Sequence, residues 1–357
     1  MSDQPEALVI LSPGFPENET DSTCVPAQQV FVKNLKQNFP HLAIVVLTFQ
    51  YPYYSSEYEW HGIRVISFGG ENRGNVARFF NWVRVWTKLG QLNREHRLIG
   101  ILSFWLGECA LLGSRFAKRN KLKHYCWILG QDAKPLNRYF KYIKPRPGSL
   151  IALSDFIAAE FYRNYGITPS HVIPVGIDPA MFGKPAATRD IDILGAGSLI
   201  LLKQYYLLVN IVSVLRESFP RIKAIICGKG PELEPLDTMV KNLGLEKNIT
   251  LMGEVPHSMV LDLMLRTKIF VHTSAYEGLG VVCLEALYAG AQVVSFVRPM
   301  ETGIKNWHFA RMQGDMLKII RGLLDEPNMD HSPVAPYLVT DSNMAMMKLF
   351  DHDNMPG

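Results

Sequence analysis

The chain has 357 residues, 48% of them hydrophobic and 20% charged, which supplies apolar material for two ordinary cores and argues against a disordered protein. The net charge of +4 is uneven: residues 1–180 carry 20 Lys/Arg against 14 Asp/Glu and the remainder 17 against 19, so the N-terminal half either meets an anionic neighbour or has a solvated basic surface. Five cysteines without Cys-x-x-Cys spacing exclude a disulfide ladder and a cysteine-based metal framework, and no apolar stretch approaches the ~20 residues that cross a bilayer.

Short apolar runs alternate with longer amphipathic ones, which predicts an α/β protein with parallel sheets flanked by helices. In the first half, strands are predicted near residues 7–11, 42–48, 63–67, 98–102, 124–129, 150–153 and 172–174, and helices near 27–38, 75–90, 106–119 and 155–164. Residues 12–26, with Gly14 as their only glycine, read as a long polar loop. The stretch 73–97 mixes Arg78, Phe79, Phe80, Trp82, Arg84, Trp86, Lys88 and Leu89. Such a helix either lies in a membrane interface or covers the sheet with its aromatics. Gln131 and Asp132 follow Gly130 at the end of a predicted strand, where a substrate would be oriented, although Asp132 also suits a helix cap.

A break at 178–190 with Pro179, Gly183 and Pro185 reads as a hinge. Beyond it strands are predicted near 191–196, 222–227, 248–252, 268–272 and 292–296, and helices near 203–217, 232–243, 257–265, 279–289 and 341–350. Cys126, Cys227 and Cys283 lie in apolar runs and read as buried small hydrophobes. The N-terminus has no basic region followed by an apolar one, so a cytoplasmic protein is expected, peripheral on the inner membrane face if the 73–97 helix touches lipid.

Residues 274–290 carry most of the chemistry. An apolar strand enters a turn with Glu277, Gly278 and Gly280, and a helix rich in Val, Leu and Ala follows. Free N–H groups and the helix dipole make such a junction an anion site. Glu285 follows Glu277 by eight positions, about 10 Å along a helix. That exceeds the ~5–5.5 Å of a retaining glycosidase pair, but suits a ligand with a hydroxylated ring at each end and a diphosphate between.

This segment resembles the Glu-x7-Glu motif of the family-4 retaining glycosyltransferases, which have the GT-B architecture. Ile173 to Asp178 with Phe182, Leu194 to Ser198 with Lys203, Cys227 to Pro231, and Gly253 to His257 resemble further landmarks of that family, in its order and with its gaps. The resemblance implies two Rossmann-like domains facing across a cleft: residues 1–180 on the acceptor side, with a C-terminal helix at about 340–357 returning to it, and 181–335 binding the nucleotide sugar. It implies retaining transfer from a nucleotide-diphosphate sugar to a glycan, lipid-linked or small-molecule acceptor. No metal or other cofactor is expected, and nucleic acid is not an expected partner.

By the same resemblance, Glu277 meets the hydroxyls of the donor sugar, Glu285 the ribose, and Lys203 the diphosphate. Gly197, Ser198, Gly228, Lys229, Glu254, Val255, Gly278, Leu279, Gly280 and Val281 complete the donor site. Gly14, Gln131 and Asp132 belong to the acceptor side, with residues 12–26 as a lid. His257, at a helix start, reads as a cap or loop histidine, and Ser103, after its strand, as a cleft candidate. The sequence departs from the family in two places. Ser198 stands where relatives commonly carry arginine, so either another basic residue such as Lys229 or Arg298 supplies that charge or donor binding is weaker, and the first loop lacks a paired glycine. A non-catalytic nucleotide-sugar binder or degenerate partner subunit is therefore the alternative.

Overall fold

The apolar runs become strands because each is long enough to cross a sheet covered on both faces. In the computed structural model residues 4–186 and 188–351 are described, and the chain divides into two units, Met1–Gly176 with Val339–Gly357, and Ile177–Leu338. Residues 352–357 of the expected returning segment, and Ala187 in the expected hinge, lie outside the described residues.

The first unit runs β1 (Glu6–Gly14), α1 (Pro26–Asn38), β2 (Ala43–Tyr51), β3 (Ser55–Trp60), β4 (Ile63–Phe68), α2 (Asn75–Glu95), β5 (Arg97–Phe104), α3 (Glu108–Asn120), β6 (Lys123–Ile128), α4 (Phe140–Ile143), β7 (Leu150–Ala152), α5 (Asp155–Tyr165) and β8 (His171–Val172). Its eight strands are ordered β3-β4-β2-β1-β5-β6-β7-β8, parallel except for β3, which runs antiparallel to β4. Strand β3 has no counterpart among the predicted elements. It is a polar edge strand, Ser-Ser-Glu-Tyr-Glu-Trp, in which only Trp60 is fully buried; charged edges of this kind discourage pairing with other chains. Helix α2 packs Val85, Leu89 and Leu92 onto the sheet.

Residues 12–26 are not one loop. Strand β1 continues through Gly14, where it still pairs with Tyr51, and Phe15 is buried. The remainder is tied by side chains: Asn18 Oδ1 accepts from the Thr20 and Asp21 N–H groups, and Tyr51 donates its hydroxyl to Asp21 Oδ2 at 3.0 Å.

The second unit runs β9 (Ile191–Ala196), α6 (Tyr205–Leu215), β10 (Ala224–Cys227), α7 (Leu233–Asn242), β11 (Ile249–Gly253), α8 (His257–Leu265), β12 (Thr267–His272), α9 (Val281–Tyr288), β13 (Gln292–Ser295), β14 (Trp307–Phe309) and α10 (Gln313–Leu324). All six strands are parallel in the order β11-β10-β9-β12-β13-β14. This is the doubly wound order, which reverses between its first and fourth strands and leaves a crevice at their C-terminal ends.

Several helix starts lie one or two residues from the predicted ones, and two of them have a backbone cause. Leu201–Lys203 is a separate 3-10 turn, because Gln204 takes a left-handed φ of 50° and restarts the chain as α6 at Tyr205. Helix α9 begins at Val281 because Gly280, at φ 71°, occupies its N-cap.

The last helix, α11 (Val339–Leu349), belongs to the first unit. Val339, Met346 and Met347 are buried. The Phe350 ring meets Tyr125 edge-on at 5.0 Å, and Tyr125 donates its hydroxyl to Leu349 O at 2.9 Å. A Cβ on Gly100 would come within 2.5 Å of the Phe350 ring, so a side chain at that position of β5 would have to displace the ring. Cys109, Cys126, Cys227 and Cys283 are buried free thiols. Among the described residues no helix is long and apolar enough to cross a membrane.

Candidate active site

The switch point of the second sheet lies between β9 and β12, and the loops leaving these two strands carry the charged groups. After β9 the chain turns at Gly197, with φ 146°, and the Gly197 N–H donates to Cys227 O at 3.0 Å. Gly228, at φ 147°, crosses this turn so closely that a Cβ would run into the Gly197 carbonyl oxygen; its N–H donates to Gly253 O at 2.7 Å. The loops after β9, β10 and β11 are thus laced by backbone, and glycine is required where they cross. Ser198 is exposed beside them.

The loop after β12 is tied to the Leu201–Lys203 turn. Thr273 donates its hydroxyl to Lys203 O at 2.6 Å, and the Ala275 N–H donates to Leu202 O at 3.0 Å. These bonds set Lys203 against Glu277, and the Lys203 ammonium pairs with Glu277 Oε2. His272, buried at the end of β12, lies with Nε2 at 3.3 Å from the same oxygen. Burial favours a neutral Glu277, but the hydrogen bond from His272 and the Lys203 charge prevail and hold its carboxyl at about 2. Burial in turn lowers the His272 pKa, so its imidazole is neutral near pH 7 and donates to Glu277 through Nε2–H. His272 was not among the residues singled out in the sequence. Its one signal was a histidine closing an apolar strand five residues before Glu277.

Glu285, inside α9, is paired as well. His257 is the first residue of α8 but makes no capping bond. Its Nε2 lies 2.9 Å from Glu285 Oε1. Burial works against the imidazolium, yet the bond to Glu285 and its charge raise the His257 pKa above the ordinary value. Lys229 and Glu254 form a further pair at 2.5 Å, both largely exposed and so screened by solvent. Val255 is half-buried next to it. Gly278, Leu279 and Gly280 are buried, and Val281 opens α9 half-buried. Arg298 is exposed and donates to Glu301 O of its own loop at 2.6 Å.

In the first unit, Gly14 is buried at the end of β1 and accepts a hydrogen bond from Ser12 Oγ at 2.6 Å. Gln131 is exposed in a 3-10 turn after β6. Asp132 is buried, and its carboxylate accepts from the N–H groups of Leu106 at 2.7 Å, Gly130 at 2.9 Å and Leu129 at 3.2 Å. Burial raises its pKa to about 6 against these bonds. The group clasps two loops rather than capping a following helix. Ser103 is also internal, with Oγ 2.9 Å from His124 Nε2.

Doubly wound parallel sheets with charged switch-point loops define a class of folds rather than one protein. The fold here is the GT-B type of the glycosyltransferases. Anabaena Alr3699/HepE, solved in complex with UDP and glucose, matches with a TM-score of 0.71 at 16% identity over 98% of this chain and 99% of that one. Sucrose-phosphate synthase from Thermosynechococcus elongatus matches with a TM-score of 0.68 at 16% identity over 97% and 95%. Residues 178–305, which include Lys203, Glu277 and Glu285, match the family described as Glycosyl transferases group 1. A phosphatidylinositol N-acetylglucosaminyltransferase subunit from Arabidopsis thaliana is 32% identical over 136 residues, which is 36% of this chain and 30% of the relative. The chain thus spans under a third of the length of that curated relative.

Proposed function

We propose that this chain is a cytoplasmic retaining glycosyltransferase of the family-4 type, which moves a hexose-type sugar from a nucleotide-diphosphate donor to a glycan, lipid-linked or small-molecule acceptor. The observation that carries the proposal is the half-buried, ionised Glu277, held between Lys203 and His272 at the β9–β12 switch point. A buried carboxylate stays ionised only beside such partners, and titratable groups with strongly shifted pKa values concentrate at functional sites.

In this reading the donor diphosphate lies at the N-terminus of α9, and Lys203 turns from Glu277 to the phosphate. Glu277, so released, accepts hydrogen bonds from sugar hydroxyls, and Glu285 accepts them from the ribose. Gly197, Gly228 and Gly280 let backbone approach the ligand. The bond from the anomeric carbon to the phosphate oxygen breaks with its electrons on the diphosphate, where Lys203 and helix N–H groups stabilise them. The acceptor hydroxyl bonds to that carbon, and its proton passes to a phosphate oxygen of the leaving group. The name of the Arabidopsis relative supports an N-acetylhexosamine sugar and a phospholipid acceptor.

A second reading, a nucleotide-sugar binder or degenerate partner subunit, draws on the charge balance. Lys203 and Lys229 are each paired with a carboxylate, and Ser198 adds no cation.

Release of nucleoside diphosphate from UDP-, GDP- and ADP-sugars separates the two. Turnover with one donor is expected, with Glu277→Ala lowering it by roughly two to three orders of magnitude at an unchanged circular dichroism spectrum. Binding without release across an acceptor panel favours the second reading. Equal turnover by wild type and Glu277→Ala sinks the first.

A further inference from the structure

Helix α2 has two apolar faces. Val85, Leu89 and Leu92 are buried on the sheet. Val76, Phe79, Phe80 and Val83 follow i, i+3, i+4, i+7 spacing on its N-terminal half, and they are 71%, 60%, 61% and 47% exposed. A stripe of that spacing ordinarily seats a helix on a core; this one faces solvent. Tyr142, 66% exposed, comes from the segment after β6 and lines the same cavity as Phe79, and Leu136 of that segment, two residues before Arg138, is 96% exposed.

Beside the stripe opens a cavity of about 470 Å³, whose lining includes Arg78, Arg115, Arg138, Trp82, Tyr139 and Tyr142 and no carboxylate. Arg78 Nε is buried without a hydrogen-bond partner. The Arg138 guanidinium stacks over the Tyr139 ring at 5.1 Å. Among the described residues none of the three arginines is ion-paired. The wider setting has the same sign: residues 72–94 and 133–154 each carry five Lys/Arg and no Asp or Glu.

We propose that this face seats the first unit on an anionic membrane, with the three guanidiniums gripping the phosphate of a lipid headgroup and Phe79 and Phe80 entering the apolar layer beneath. Arginine matches phosphate through paired N–H donors, and aromatic side chains favour the depth at which headgroups meet acyl chains. A nucleic-acid surface would also use arginines and aromatics. It has no use for Val76, Val83 and Leu136, which cannot stack on bases and gain from leaving water. The inference stands on the first unit alone and holds whether or not the second transfers sugar.

The test is sedimentation of the full chain with phosphatidylcholine vesicles, with and without phosphatidic acid. Wild type should bind the phosphatidic acid vesicles. Joint Arg78→Gln, Arg115→Gln and Arg138→Gln substitution should weaken that binding about a hundredfold, the product of three surface cations. Joint Phe79→Ser and Phe80→Ser substitution should weaken it too. All these side chains are at least partly exposed, so unchanged melting of each variant shows that folding is not the cause. Three results overturn the inference: no sedimentation of wild type with either vesicle, equal binding by wild type and the triple variant, or tighter binding to a single-stranded RNA oligonucleotide than to vesicles.

Discussion

Glu277 and Glu285 illustrate two ways of pairing a carboxylate with basic groups away from bulk water. Glu277 has a permanent cation and a neutral imidazole beside it. Glu285 is paired with His257, whose charge depends on pH. Because the folded chain raises the His257 pKa above 6.5, it holds that proton more tightly than the unfolded chain does. The stabilisation is complete below about pH 6.5 and is lost as pH rises through the folded value. His257→Gln should therefore lower the urea midpoint by an amount worth about 1–2 kcal/mol near pH 6, and by progressively less toward pH 9. A difference that stays constant over this range would show that the imidazolium plays no part. The sign reverses for Glu277. Its folded pKa is depressed to about 2 from 4.5, so its contribution is present above pH 4.5 and fades as pH falls through the folded value. Glu277, Glu285 and Lys203 were legible because their spacing is fixed within short motifs. The clasping role of Asp132 was not, since its partner Leu106 lies 26 residues away and only folding brings it close, and neither was His272, since only the folded turn brings its ring back onto Glu277, five residues on.

Among the elements, α2 separates burial from composition most sharply. Its sequence reads as one aromatic, basic helix, and hydropathy alone could not assign Trp82 and Trp86 to the sheet side and Phe79 and Phe80 to the solvent side. Leu89→Ala, on the buried face, should cost about 2–5 kcal/mol in chemical denaturation. Phe80→Ser, on the exposed face, should change stability by less than about 0.5 kcal/mol. Comparable losses at both positions would mean that a further part of the protein covers the outer face. Strand β3 escaped prediction because an edge strand needs little hydrophobicity, and β14 because its three residues offer no pattern. The starts of α6 and α9 were misplaced by two residues for a backbone reason, the left-handed turns at Gln204 and Gly280.

For the whole molecule, alternating apolar and amphipathic runs made the α/β class and most strands readable. The order in which strands join was not readable, because neither sheet follows chain order. That order locates the switch point and so explains why Lys203 and Glu277, from loops after non-consecutive strands, share one pocket of charge. The central claim is that this pair clasps a nucleotide-diphosphate sugar, with the lysine on the diphosphate and the carboxylate on the sugar. Titration calorimetry of the best-bound nucleotide sugar and its free nucleoside diphosphate, against wild type, Lys203→Ala and Glu277→Ala, tests it most directly. The account predicts that Lys203→Ala weakens both ligands, by about tenfold or more, whereas Glu277→Ala weakens the sugar-bearing ligand far more than the bare diphosphate. Wild-type affinities in both variants, or no binding of any nucleotide sugar to the intact protein, would contradict it.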